Sequence, residues 1–340
     1  MKAIGYTEAQ FGLPIADPNA LAEFTLPDPI PHGRDLLVEV RAVSVNPVDT
    51  KVRRNTTPAA GDVKVLGWDA VGIVRATGSE ASLFKPGDRV WYAGSIARPG
   101  TNCQLNLVDE RLVGHAPRSL DDAAAAALPL TGLTAWELLF DRLQITQGAG
   151  AGQSILVIGA GGGVGAILVQ LARRLTQLTV IGTASRPETA DWAHNLGAHY
   201  VVDHSRPLSQ ELQRIGIPQV HYVASLTQTD RHLPEIVESL VPQGRLGLID
   251  DPGPFDIKLL KRKSISLHWE LMFTRAIYET PDMIAQHRIL EELATLLDTG
   301  VVRSTLAEHY GTINADNLRR AHALIESGTA RGKIVLEGWK

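Results

Sequence analysis

Ile155–Ile158 is a short apolar run of the kind shown by a strand buried on both faces, and glycines follow it at once. Past them, apolar residues fall at Val164, Ile167, Leu168, Leu171 and Leu175, which is one face of a helix. The pattern therefore predicts strand, glycine turn and helix between Ser154 and Leu175. The alternation continues downstream. Thr179–Ala184, Tyr200–Asp203, Gln219–Leu226, Arg245–Ile249 and Ser264–Trp269 read as further strands. Ser185-Arg-Pro-Glu188 reads as a capping box opening a helix that Gly197 ends, and another helix spans about Pro281 to Thr299. Strands alternating with helices predict a parallel, doubly wound sheet. Met1 to about Ser119 is different, with strand patterns at Leu36–Val45 and Val71–Ala76 and a Pro86-Gly-Asp turn feeding a strand at Val90. Ser119–Leu139 is alanine-rich and helical, with Asp121 and Asp122 suited to the dipole of its first turn. The closing run Gly332–Glu337 is a strand able to rejoin the N-terminal β region.

Composition narrows this picture. At 340 residues the chain is longer than one core usually supports, so two domains are expected. With 44% apolar and 21% charged residues it reads as an ordinary globular protein. A net charge of −4 without a basic block argues against nucleic acid as a partner. The N-terminus has no secretory apolar core and no run of about 18 apolar residues stands out, so no membrane partner and a cytoplasmic location are expected. The single cysteine, Cys103, excludes an internal disulfide and a thiolate-rich metal site.

The glycine turn carries the first candidate chemistry. In G-x-G-x-x-G register it reads Ala160-x-Gly162-x-x-Gly165, with Gly163 and Val164 completing the loop. Gly162 lets the backbone approach a pyrophosphate, Gly165 lets helix and strand pack closely, and free N–H groups at the helix start meet phosphate charge. An NAD site wants a carboxylate roughly 20 residues beyond the glycines. Here that position holds Ser185 and Arg186, and a guanidinium suits a 2′-phosphate, so NADPH is the expected cofactor. Ser185 serves equally well as a helix cap.

Several segments together resemble the medium-chain dehydrogenase/reductase superfamily, in order and spacing across essentially the whole chain. They are Val45-Asn-Pro-Val-Asp49, Leu66-Gly-Trp-Asp-Ala-Val-Gly72, Lys85-Pro-Gly-Asp-Arg-Val90, Ala127-Leu-Pro-Leu-Thr131, Gly159–Gly165 and Gly332-Lys-Ile-Val-Leu336. Within it the chain looks like the quinone-oxidoreductase branch, and more narrowly the bacterial zinc-type alcohol dehydrogenase-like group. Leu107–Gly114, Ala135–Arg142 and Leu267–Thr274 carry that closer likeness. The resemblance implies an α/β protein: a GroES-like, β-rich substrate domain (1–125 and 303–340) and a Rossmann, doubly wound parallel sheet (126–302). It also implies an active site in the cleft between them, and a homodimer joined edge to edge through the sixth strand, where His268 and Trp269 lie.

Zinc enzymes of this superfamily bind metal through a cysteine, the histidine of Gly-His-Glu and a further cysteine or carboxylate. Here the motif reads Gly67-Trp68-Asp69, Ser44–Asp49 holds no cysteine or histidine, and the eleven histidines are scattered. The expected ligand set is missing, so no metal site is assigned. Without a Lewis acid, alcohol oxidation loses the means of activating its hydroxyl, whereas hydride transfer to a quinone or enone mainly needs donors for the developing oxyanion. The resemblance implies that Asn46, in Asn-Pro-x-Asp, is such a donor; it also fits an Asx turn before Pro47. Asp49 fixes that loop. Lys51 could neutralise the oxyanion or be a solvated surface lysine. Thr131 matches a residue beside the nicotinamide, or packs a helix. Trp68 fills the vacated metal position, Tyr92 is a proton donor or a core tyrosine, and His204 takes the place of the branch's phosphoadenosine tyrosine. The expected function is NADPH-dependent reduction of quinones or α,β-unsaturated carbonyls. The alternatives are a zinc-dependent alcohol dehydrogenase and a crystallin-like NADPH-binding protein without significant turnover.

Overall fold

A computed structural model describes residues 1–339 and divides the chain into two compact units, Met1–Leu133 with Phe273–Lys340, and Thr134–Met272.

The second unit is built on the all-buried strand Ser154–Ile158. Thr179–Thr183 and Tyr200–Val202 lie to one side of it, and Val220–Ser225, Leu240–Leu248 and Ser266–Trp269 to the other, all parallel. Counted along this unit the order is 3-2-1-4-5-6, the doubly wound arrangement, and it reverses between the first and fourth strands, where such folds bind dinucleotides. Leu156, Ile181, Val202 and Leu246 from the sheet pack with Leu208, Leu212, Leu233 and Ile236 from the helices, and this burial is what holds the layers together. The sixth strand is an edge and leaves Trp269 53% exposed.

The first unit centres on the eleven-residue strand Asp35–Val45. Ala70–Thr77, Leu105–Asp109 and Lys333–Glu337 all pair with it antiparallel. The C-terminal strand thus returns to the N-terminal sheet, with Ile334 opposite Val45. Pro47–Asn55 forms a helix directly after the central strand, with Asn46 as its N-cap and Pro47 in its first turn.

Three sequence expectations shift. Residues 126–133 and 273–302 belong with the β-rich unit, not the Rossmann unit. The helix Ala285–Asp298 packs on the strand Val113–His115, where His287 Nδ1 lies 2.7 Å from Val113 O. A Cβ on Gly114 would meet Leu290 Cβ at 2.5 Å, so that glycine permits the close approach. The Ser185 capping box does not form: Arg186 is the N-cap and Pro187 opens the helix Pro187–Asn195. The alanine-rich stretch is broken into Asp122–Ala126, Pro129–Trp136 and a π-helical turn at Glu137–Arg142. Asp122–Arg142 is long and apolar enough to span a membrane, yet 83% of its most apolar window is buried inside the protein.

The π-turn brings two carboxyl groups together. Glu137 and Glu270 are both buried, and Arg142 Nε donates to Glu270 Oε2 at 2.8 Å while its Nη2 lies 3.8 Å from Glu137 Oε2. Burial, reinforced by the charge of Glu137, pushes Glu270 up to about 8, so the two carboxyl groups hold a proton between them at neutral pH. A carboxyl raised in the folded state favours folding fully below its unfolded value, and that contribution is lost as pH rises through the folded value. Glu270→Gln should therefore remove a stability loss that wild type shows between about pH 4.5 and pH 8. Urea titrations across this range check it, and parallel curves for the two proteins would contradict the assignment.

Candidate active and cofactor sites

The cofactor half of the site follows from the glycine turn. Gly159 has φ +86°, and its carbonyl accepts from Gly162 N–H at 3.1 Å, closing the turn. The tight-turn role therefore falls to Gly159, one residue before Ala160 in the motif register; Ala160 is fully buried against the second strand near Gly182. A Cβ on Gly165 would stand 2.3 Å from Gly159 O and 2.6 Å from Ala160 Cα, so only glycine lets the helix sit this close to the loop. Gly162 is the N-cap of the helix Gly163–Leu175 and provides no side-chain cap, so the first-turn N–H groups of Gly163 and Val164 point out of the helix end. This cradle fits a pyrophosphate.

Beyond the second strand, Thr183 is buried while Ser185 and Arg186 are exposed. No carboxylate stands between Thr183 and Arg186 to accept from a ribose 2′-hydroxyl. His204 follows the third strand, with Nδ1 3.0 Å from Thr183 Oγ1.

In the β-rich unit the structure gathers a buried polar cluster. Asn46 Nδ2 donates to Asp69 Oδ2 at 2.8 Å, and Asn46 Oδ1 accepts from Lys333 Nζ. Lys333 Nζ also lies 3.1 Å from Asp69 Oδ2 and donates to Val45 O at 3.2 Å. Asp69 completes its shell with Ser44 Oγ at 2.8 Å and Leu130 N–H at 2.7 Å. Lys333 is 3% exposed and Asp69 fully buried, so the ion pair is sealed from water. Asp49 Oδ2 accepts from Asn46 N–H at 2.6 Å and Oδ1 from Gly67 N–H at 2.9 Å, which fixes the loop as the sequence suggests. Burial pushes Asp49 up to about 7 despite these two donors.

The sequence singles out Asn46 and its partner Asp49 but not the contacts of Asn46 with Asp69 and Lys333. The lysine packed onto Asn46 is Lys333, on the returning strand; Lys51 stands half-buried on the Pro47–Asn55 helix. The signal for Lys333 was a lysine opening an apolar strand, in Gly332-Lys-Ile-Val-Leu. Thr131 is buried and back-bonds to Ala127 O and Leu128 O at 3.4 and 3.3 Å, as helix packing requires. Tyr92 is a core residue donating to Asn106 Oδ1, and burial pushes its hydroxyl well up.

A zinc site does not fit these residues. Trp68, 1% exposed, donates its indole N–H to Ser95 O at 3.1 Å and meets Phe273 edge-on at 6.3 Å. Among the described residues no three His, Cys, Asp or Glu side chains converge as metal ligands would.

Comparison with known proteins gives the class. Residues 32–118 match the alcohol dehydrogenase GroES-like domain and residues 196–336 the zinc-binding dehydrogenase family. The zinc-type alcohol dehydrogenase-like protein SAS2087 of Staphylococcus aureus (strain MSSA476) is 39% identical over 342 residues, 99% of either chain. A crystal structure from Rhizobium etli CFN 42, of a protein proposed to be a zinc-dependent alcohol dehydrogenase, is 56% identical. It covers 100% of this chain and 98% of its own, at a TM-score of 0.95. A quinone oxidoreductase of Pseudomonas syringae pv. Tomato DC3000 is 25% identical over 99% of both chains, at a TM-score of 0.83. A GroES-like unit joined to a Rossmann unit with a nucleotide cradle defines an oxidoreductase. The chain belongs to the medium-chain dehydrogenase/reductase superfamily, in its quinone-oxidoreductase branch.

The ion pair makes a stability prediction. Breaking a buried pair by removing one partner costs about 3–5 kcal/mol, because the other charge is stranded. Lys333→Met should show a loss of that size in chemical denaturation at pH 7, with Asp69→Asn added in the same chain recovering part of it. A loss under about 1 kcal/mol would mean the pair is not sealed as the structure has it.

Proposed function

We propose that the protein is an NADPH-dependent reductase of quinones or α,β-unsaturated carbonyls that works without catalytic zinc. The observation that carries this reading is the Lys333–Asn46–Asp69 cluster, whose Asp69 follows Trp68 in the segment that resembles the zinc enzymes' Gly-His-Glu. One Nδ2 hydrogen of Asn46, a residue 1% exposed, is committed to Asp69, and in this reading the second is the donor for a substrate oxygen. The Lys333 ammonium on Asn46 Oδ1 draws electron density from the amide and makes that hydrogen a stronger donor. Asp69 and Asp49 hold the amide and its backbone in place, so little reorganisation accompanies charge development on the oxygen. The cofactor, when bound, supplies the hydride. Gly159–Gly165 would hold its pyrophosphate and Arg186 its 2′-phosphate.

NADPH consumption across quinones, enals, enones and alcohols, in protein never exposed to chelator or nickel resin, tests the reading. Turnover is expected on quinones or enones, unchanged in chelator, with substoichiometric zinc. One tight zinc per chain lost together with activity would establish the alcohol dehydrogenase alternative, and tight NADPH binding without turnover would establish a binding protein. Asn46→Ala should lower kcat by about 10²–10³ while weakening NADPH binding less. A fall under about threefold would leave Asn46 a turn residue.

Arg186 sets the cofactor prediction. A charge-assisted bond contributes about 1.5–3 kcal/mol, or about ten- to a hundredfold in affinity. Arg186→Ala should raise KM for NADPH by that factor and leave KM for NADH and kcat at saturation nearly unchanged. A wild-type preference for NADH would refute the assignment.

A further inference from the structure

The carboxyl ends of the second, third and fourth Rossmann strands hold a cluster of cations and imidazoles with no part in the hydride chemistry. Thr183, which ends the second strand, is 1% exposed, and its Oγ1 accepts from Gly159 N–H at 3.2 Å. Its other partner is His204 Nδ1, at 3.0 Å. A hydroxyl carries one proton, and of these two partners only the imidazole nitrogen accepts one. The Thr183 hydroxyl gives that proton to Nδ1 when His204 carries its own on Nε2, and accepts from Nδ1–H with its second lone pair when His204 carries it on Nδ1.

His232, from the helix Thr229–Ser239, is buried and stands edge-on to His204 with ring centres 6.0 Å apart. Arg231 precedes it, exposed, with Nη1 bonded to Gln228 Oε1 at 3.3 Å. The positive charge of Arg231 acts on both rings. Asp203 is the carboxylate beside His204, and Asp230 the one that acts on His232. Asp203 is itself shared with Arg206, and its N–H is bonded to Glu211 on the helix Leu208–Arg214. Glu235, on the same helix as His232, is occupied by Ser209. Two imidazoles and a guanidinium thus gather beside the end of the second strand, and Arg186 stands just past that end. A phosphate on the ribose 2′ position leaves the dinucleotide at this strand end.

We propose that Arg231 and the His204–His232 pair form a second cationic wall of the adenosine 2′-phosphate site, and that the pair takes up a proton when the phosphate binds. This rests on the NADPH reading above. In the free protein, burial holds both imidazoles below their usual range, and Arg231 adds to it. Both are therefore neutral at pH 7. A dianion placed among them reverses the balance, because opposite charge favours the protonated ring. The proton comes from solvent. In the Nε2–H tautomer the proton is taken up on His204 Nδ1, which becomes a donor to Thr183 Oγ1 while the Thr183 hydroxyl turns its own proton toward another acceptor; in the Nδ1–H tautomer it is taken up on Nε2 and the Thr183 bond is unchanged.

Calorimetric titration of the full chain with adenosine 2′,5′-bisphosphate and with 5′-AMP, from pH 6.5 to 8.5 in buffers of differing ionisation enthalpy, separates the outcomes. Uptake of one proton weakens binding by up to about tenfold per pH unit. The bisphosphate is expected to lose about three- to tenfold between pH 7 and pH 8, with buffer-dependent heats, while 5′-AMP stays flat. The phosphate's own second ionisation, near pH 6, could only tighten binding with rising pH, so a fall in affinity reports the protein. His204→Gln should flatten the slope. Arg231→Gln, on an exposed helix position where folding is not at stake, should weaken the bisphosphate about tenfold and leave 5′-AMP unchanged. A bisphosphate that binds more tightly than 5′-AMP but with a flat or rising pH profile, or with no effect of Arg231→Gln, overturns this proposal and leaves the NADPH reading standing. A bisphosphate no tighter than 5′-AMP at pH 6.5 overturns both.

Discussion

A lysine ammonium and an aspartate carboxylate sealed inside the β-rich unit constrain much of what surrounds them. Lys333 belongs to the last strand of the chain, Asn46 to the loop after the central strand, and Asp69 to the loop before Ala70–Thr77. Neither charge tolerates burial alone, so these segments must meet in one register. The pairing of Ile334 with Val45 sets that register, and the Lys333 donation to Val45 O ties it down. Leu130 N–H extends the same knot to the helix Pro129–Trp136 through Asp69 Oδ1. The cost of the buried pair is offset by nearly complete hydrogen bonding, and the result is an amide held in one orientation by charge on both sides.

In the proposed function, that arrangement gives a physical reason for a scaffold related to zinc dehydrogenases to work without the metal. A metal stabilises an oxyanion by direct coordination and needs convergent, deprotonated ligands. Trp68 brings bulk and a satisfied indole N–H instead, and the neighbouring positions are devoted to Asp69 and Asn46. A polarised amide is a weaker electrophile than zinc. The proposed reading therefore pairs it with acceptors that are already electrophilic, such as quinones and enones, and not with alcohols that must first lose a proton.

The parts of the molecule legible in the sequence were those whose cause is local. The all-buried first Rossmann strand, the apolar face of the helix after it and the need for glycine at position 165 all follow from neighbours a few residues away. The turn at Asn46, which caps the helix Pro47–Asn55, was legible because Pro47 and Asp49 sit beside it. Lys333 was not, because its reason for being buried lies 264 and 287 residues away in sequence, at Asp69 and Asn46. The two misplaced details also have local rivals. Ser185 looked like a cap, but Pro187 fits the first helical position, which makes Arg186 the cap. Ala160 occupies the first motif slot, while the positive φ falls on Gly159, where an alanine would be strained. The helix Ala285–Asp298 follows the Rossmann strands in sequence, yet its apolar face is buried on the β-rich unit.

The central claim is that hydride passes to an acceptor whose oxygen is stabilised by Asn46 and not by a metal. Its most direct measurement uses NADPH deuterated at the transferring C4 position, with an enone substrate and protein whose zinc content has been determined. The account predicts deuterium at the β-carbon of the saturated product from protein lacking stoichiometric zinc, and loss of that transfer in Asn46→Ala. Deuterium transfer that appears only after zinc is restored, or that proceeds unchanged in Asn46→Ala, would contradict it.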